Sequence, residues 1–131
     1  VIFGIGTDIV AVKRIEEGLF KHGDRFLHRI LSEAEVAEYT HYKTSPHTTA
    51  PARFLAKRFA AKEAFSKAFG TGIGEAVGWH DVQVTHDTKG KPVLAVSAAL
   101  QARLNDAGVN RTHISISDEQ DHAIAFVVLE S

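Results

Sequence analysis

Residues 52–69 read ARFLAKRFAAKEAFSKAF, and glycines follow at positions 70, 72 and 74. Eleven of these eighteen residues are apolar. At about 100° per residue, Phe54, Phe65, Phe69, Leu55 and Phe59 sweep nearly half of a helix circumference, while Ala56, Ala60 and Ala64 lie largely opposite. No clean polar face remains. The spacing predicts a long helix from Ala52 to Phe69, covered on more than one side and stopped by the glycines. Its polar members are five cations, Arg53, Lys57, Arg58, Lys62 and Lys67, and one anion, Glu63. Glu63 and Lys67 are four residues apart and stack on one face. That pair reads either as an ordinary surface ion pair or as part of a site: Ala56 and Ala60 leave room for a ligand or a neighbouring backbone, and the surplus cations suit a polyphosphate.

Upstream, VIFGIGTDIV at 1–10 reads as a buried strand ending in a turn. Asp8 at its end has two readings. It is a good N-cap for a helix beginning near Ala11, or it is a metal ligand. Magnesium commonly takes one or two protein carboxylates and completes its shell with phosphate oxygens and water. Asp8 with Glu63 meets that need where the strand end and the long helix meet. From Ala11 to Leu31 the spacing of Val12, Ile15, Leu19, Phe26, Leu27 and Ile30 is helical, with a break at Gly23-Asp24. Ser32 followed by Glu35 is a capping-box pattern and predicts a helix from Glu33 to about His41. Residues 43–51, KTSPHTTAP, read as a loop.

Downstream, strands are expected at 79–86 and 92–96 around a turn at Asp87 to Gly90. Residues 97–107 read as a helix with Ser97 as N-cap and Gly108 as the stop. The alternating RTHISIS at 111–117 and the apolar HAIAFVVL at 122–129 read as a closing hairpin. Strands and helices do not alternate strictly, so the fold class is α+β, a mainly antiparallel sheet packed against the long helix. With 131 residues, a single domain spanning 1–131 is expected.

Composition narrows the function. The chain has no cysteine, which excludes a disulfide framework, a thiolate zinc site and a cysteine nucleophile. Fifteen basic against sixteen acidic residues give a formal charge of −1, which argues against non-specific nucleic-acid binding. No apolar run approaches a membrane span of about 20 residues, and a cytoplasmic protein is expected. The glycines of GTGIG at 70–74 follow a helix and do not match the dinucleotide fingerprint. Eight histidines include no convincing metal-ligand spacing; His22, His28, His41 and His47 read as solvated. His113 reads as exposed or as polar lining, and Trp79 as core.

GIGTDIV at 4–10 together with FLAKRFAAKEAFSKAFGTG at 54–72 closely resembles the paired signature of the holo-[acyl-carrier-protein] synthases, the small bacterial phosphopantetheinyl transferases. The likeness runs along the whole chain, through Thr88-Lys89-Gly90-Lys91-Pro92 and the His-x-Ser-x-Ser strand from His113 to Ser117. The resemblance implies transfer of the 4′-phosphopantetheine arm of coenzyme A to a serine of apo acyl carrier protein, releasing adenosine 3′,5′-bisphosphate. It implies Mg²⁺ held by Asp8 and Glu63, Lys67 close to the transferring phosphate, and a homotrimer with shared active sites. Arg58, Lys62, Ser66, Gly70 and Lys91 are then reasonable coenzyme contacts, although Arg58 has a rival reading as a structural ion pair. Proton removal from the serine falls to Glu63, a metal-bound water or neutral Lys67. Asp118 departs from the family pattern, because many members place a histidine there.

Acyl carrier proteins are acidic as a family property, whereas this chain is nearly neutral, so attraction requires a local patch. Arg14, Lys21, Arg25 and Arg29 recur at spacings of seven, four and four and form the candidate docking face. The alternative is a solvated surface balanced by Glu16, Glu17 and Asp24. Two other function classes remain: a non-catalytic domain binding coenzyme A or a carrier protein, and a metal-dependent phosphoesterase.

Overall fold

The structure, a computed structural model, describes residues 1–131 except Ser45, His47 and Thr48. Its elements run β1 (Ile2–Ala11), α1 (Val12–His22), α2 (Asp24–Ile30), α3 (Glu33–Lys43), α4 (Ala50–Phe69), β2 (Val82–His86), β3 (Pro92–Val96), α5 (Ala98–Asp106), β4 (Arg111–Asp118) and β5 (His122–Glu130). All strand pairing is antiparallel, in a three-stranded sheet of order β1-β5-β4 and a separate two-stranded sheet of β2 and β3. The α+β expectation therefore holds, with the β2–β3 hairpin standing apart from the sheet that faces the long helix.

Helix α4 is the centre of the molecule. It begins two residues before the expected start, with Pro51 in the first turn, where a missing N–H costs no hydrogen bond. It ends at Gly70, whose φ of 97° is left-handed and whose N–H returns to the Ser66 and Lys67 carbonyls. The inner face of β1 lies directly on it. A Cβ added at Gly4 would stand 2.0 Å from the Ala68 carbonyl oxygen, and one at Gly6 would stand 2.0 Å from that of Ala64. The glycines thus bring the backbone of β1 onto α4 at Ala64 and Ala68. Ala123, Ala125, Val127 and Leu129 of β5 extend the same buried surface. On the opposite face of the sheet Ile5, Ile9, Ile124 and Phe126 remain exposed.

The remaining helices close the other sides of α4. Gly23, with φ of 53°, separates α1 from α2, so the predicted break is real and the two segments are not one continuous helix. The capping box at the head of α3 is present in both directions: Glu35 N–H donates to Ser32 Oγ at 3.4 Å, and Ser32 N–H donates to Glu35 Oε1 at 3.1 Å. Ser97 caps α5 by accepting from the Leu100 N–H at 3.2 Å. The strand expected at 79–86 starts only at Val82, because the Asp81 carboxylate accepts the Gly78 N–H and folds 78–81 into a turn. Of the expected loop at 43–51, Lys43 ends α3, and Ala50 and Pro51 already belong to α4. Ser45, His47 and Thr48 lie outside the described residues, so the reading of His47 as solvated does too.

Candidate active site

Asp8 is not a helix cap. Helix α1 starts at Val12 with Ala11 in the cap position, and the Val12 N–H donates to the Asp121 carbonyl instead. Nor does Asp8 end its strand, since β1 continues to Ala11 and pairs Asp8 with Ala125. Even-numbered residues of β1 face α4, as the period of two requires, so Asp8 follows Gly4 and Gly6 onto that surface. Its Oδ1 accepts from Lys67 Nζ at 3.1 Å, while Oδ2 is buried and has no hydrogen-bond partner.

Glu63 and Lys67 are brought to the same place by α4. The Lys67 ammonium donates to Asp8 and, at 3.0 Å, to the Thr7 carbonyl, so its anionic partner is Asp8 rather than Glu63. Burial holds the Glu63 carboxyl above the ordinary glutamate range, and the nearby Asp8 charge adds to the rise. Lys67 and Arg14 oppose it. Two neighbouring carboxylates, one with an orphaned buried oxygen, form a donor set suited to a hard cation. Among the described residues no cluster of three or more metal-binding side chains occurs. A magnesium ion asks only one or two carboxylates of the protein, and the residues present fit it.

The other predicted contacts divide. Lys62 is fully buried, and its ammonium donates to the Ile30 carbonyl at 2.6 Å, Glu35 Oε1 at 2.6 Å and the Trp79 carbonyl at 2.8 Å. With all three protons engaged by protein oxygens, it is a junction of the core and not a coenzyme contact, which corrects the reading from sequence. Burial pushes its pKa down, and Glu35 partly restores it. Arg58 is likewise buried, 3.8 Å from Glu35 and 3.6 Å from Glu38, with its guanidinium over the Phe54 ring; the structural ion pair is the reading that stands. Ser66 is also buried, and its hydroxyl donates to the Glu63 carbonyl at 2.7 Å, which leaves the oxygen able to accept.

Gly70 is exposed, but its N–H is engaged in the helix cap. Lys91 is exposed at the edge of a groove of about 210 Å³ lined also by Asp87, Leu94, Thr112 and His113; neither Asp8 nor Glu63 lines it. His113 is exposed, with Nε2 3.0 Å from Glu130 Oε1, and Asp118 is exposed at the end of β4. Arg14, Lys21, Arg25 and Arg29 are all exposed on α1 and α2. Sequence reasoning treated Glu35 only as a capping residue and missed it as the anion that Lys62 and Arg58 require. The excess of cations on α4 was the available signal.

A family model of the 4′-phosphopantetheinyl transferase superfamily matches residues 4–127. The chain belongs to this superfamily. It is 50% identical over 130 residues to the holo-[acyl-carrier-protein] synthase of Vibrio parahaemolyticus, covering 99% of this chain and 98% of the relative. The crystal structure of the Neisseria meningitidis synthase superposes with a TM-score of 0.91 at 45% identity, covering 100% of both chains. The Bacillus anthracis synthase, solved in complex with CoA (3′,5′-ADP), matches with a TM-score of 0.80 at 43% identity over 99% of this chain and 97% of that one. Both the resemblance read from the motifs and the α+β class agree with these superfamily structures.

Proposed function

We propose that this chain, as one transferase domain over 1–131, moves the 4′-phosphopantetheine arm of coenzyme A to a serine of apo acyl carrier protein at the Asp8–Glu63–Lys67 centre, with Mg²⁺ held by the two carboxylates. The observation that carries the reading is the buried, unpartnered Asp8 Oδ2 beside Glu63. Magnesium there supplies charge to offset the coenzyme pyrophosphate. The serine hydroxyl oxygen forms a bond to the phosphorus that bears the pantetheine arm, and the bond from that phosphorus to the pyrophosphate bridging oxygen breaks. Adenosine 3′,5′-bisphosphate departs. Lys67 is half-exposed and directed at the centre, where its ammonium offsets charge that grows on the leaving phosphate. The Glu63 carboxylate, which α4 places at the same centre, is the protein's own acceptor for the serine proton.

Ser66, Gly70 and Lys91 remain as coenzyme contacts from the sequence set, and Arg14, Lys21, Arg25 and Arg29 as the surface that meets the acidic carrier protein in the cytoplasm. A homotrimer is supported by the exposed apolar face of the three-stranded sheet, where Ile9 pairs with Ile124 and Phe126 lies on the next row. The decisive experiment is the intact mass of apo carrier protein after incubation with coenzyme A and Mg²⁺. A gain of one phosphopantetheine arm is expected, and it should vanish in Asp8→Asn, whose melting temperature stays near that of the wild type. No gain under conditions where a known transferase works, or full activity of Asp8→Asn at limiting Mg²⁺, would overturn the reading.

A further inference from the structure

Arg14 differs from the other three basic residues of the docking surface. Its guanidinium carbon lies 5.4 Å from the centre of the Phe59 ring. Phe59 is only 8% exposed and tilts against Trp79, with ring centroids 5.1 Å apart. On α4 Phe59 precedes Glu63 by four residues, so the ring and the carboxylate share one face of the helix. Among the described residues Arg14 has no ion-pair partner.

The chemistry of such a contact is particular. A ring attracts the flat face of a guanidinium and leaves its N–H groups, which lie in the plane, free to donate. Arg58 and Lys67 are held by carboxylates and are thereby partly neutralised. Arg14 is instead held by an uncharged surface that keeps both its charge and its donors available. An arginine on open helix surface would lose rotamer freedom on meeting a partner, and one already resting on a buried ring loses less.

We propose that Phe59 is a positioning residue that holds the Arg14 guanidinium between the basic docking helices and the Asp8–Glu63 centre, with its donors free for a carboxylate of the incoming acidic carrier protein. The inference rests on the docking reading above and adds to it a platform from the core. Phe59 touches neither substrate in this role; it acts through Arg14.

A double-mutant cycle tests it, with kcat and KM measured for apo carrier protein and for coenzyme A in wild type, Phe59→Leu, Arg14→Gln and the pair. The expected coupling is about two- to fivefold in kcat/KM for the carrier protein at low salt, the range of a cation–ring contact at an accessible site. It should fall mainly on the carrier-protein KM, leave the coenzyme KM unchanged, and disappear when Phe59→Tyr restores a ring. Because Phe59 is packed, Arg14→Lys supplies a variant that leaves the core intact. It keeps the charge without the planar face and should lie between wild type and Arg14→Gln. Independent effects of Phe59→Leu and Arg14→Gln in folded proteins, or Arg14→Lys indistinguishable from wild type, would overturn the platform while leaving docking intact. If Arg14→Gln itself leaves the carrier-protein KM and its salt dependence unchanged, the docking reading fails and the platform fails with it.

Discussion

Replacing Gly6 by alanine tests the geometry of the centre with a single methyl group. The new Cβ would stand 2.0 Å from the Ala64 carbonyl oxygen and 2.6 Å from the Ala68 nitrogen, whereas real Cβ contacts essentially never fall below 3.0 Å. The obstacles are backbone atoms of a buried helix, so no side chain can swing aside, and Ala64→Gly offers no relief. Strand β1 must retreat from α4 by about 1 Å, an overpacking strain that typically costs about 1–3 kcal/mol. Asp8 follows Gly6 on the same strand face and Glu63 precedes Ala64 on the helix, so the retreat opens the gap between the two carboxylates. Magnesium requires oxygens at about 2.0–2.1 Å in near-ideal geometry and tolerates little of this. Displacement on that scale can cost about 10²-fold in rate. We expect Gly6→Ala to melt at lower temperature and to lose about two orders of magnitude in kcat/KM, with the Mg²⁺ concentration for half-maximal activity raised. Carrier-protein mass against time over a Mg²⁺ series reads both quantities. Activity within threefold of wild type at unchanged Mg²⁺ requirement, in a folded variant, would refute the link between backbone approach and carboxylate spacing.

Three further outcomes are expected. Lys62→Met should destabilise the fold by about 3–5 kcal/mol in urea titration, because Glu35 is left buried beside a lost cation, and Lys62→Met with Glu35→Leu should recover part of that loss; a cost under about 1 kcal/mol for the single change would contradict the junction. The raised pKa of Glu63 means that its protonated form favours the folded state, a contribution complete below the ordinary value of 4.5 and lost as pH rises through the raised one. In metal-free protein Glu63→Gln should therefore flatten the decline in Tm above pH 4.5, and identical slopes in the two proteins would remove the argument. Phe126→Glu, on the exposed sheet face, should shift light-scattering mass toward the monomer, and an unchanged mass would place any self-association elsewhere.

What could be read from the sequence was what is local. The α3 capping box, the Ser97 cap and the glycine stop of α4 depend on neighbours within a turn, and each is where the spacing put it. The Asp8–Lys67 contact was not read, because helical spacing paired Lys67 with Glu63 and said nothing of where β1 lies. Lys62 was misjudged, and Arg58 left between two readings, for one physical reason. A run of cations on one helix resembles an anion site as readily as a set of buried ion pairs, and Glu35, the partner that decides, lies 27 residues from Lys62. That Gly4 and Gly6 of the first strand meet the Ala68 and Ala64 carbonyls required the packing. The same holds for Arg14 and Phe59, whose meeting depends on how α1 lies over α4.

The three acceptors of the Lys62 ammonium belong to the end of α2, the first turn of α3 and the segment after α4. Helix α2 has only seven residues, far too few to persist by itself in water. Its amide protons can reach solvent exchange only when that shared knot loosens, and loosening it frees α3 at the same moment. Helices α2 and α3 should therefore open as one cooperative block, exchanging at a common opening free energy.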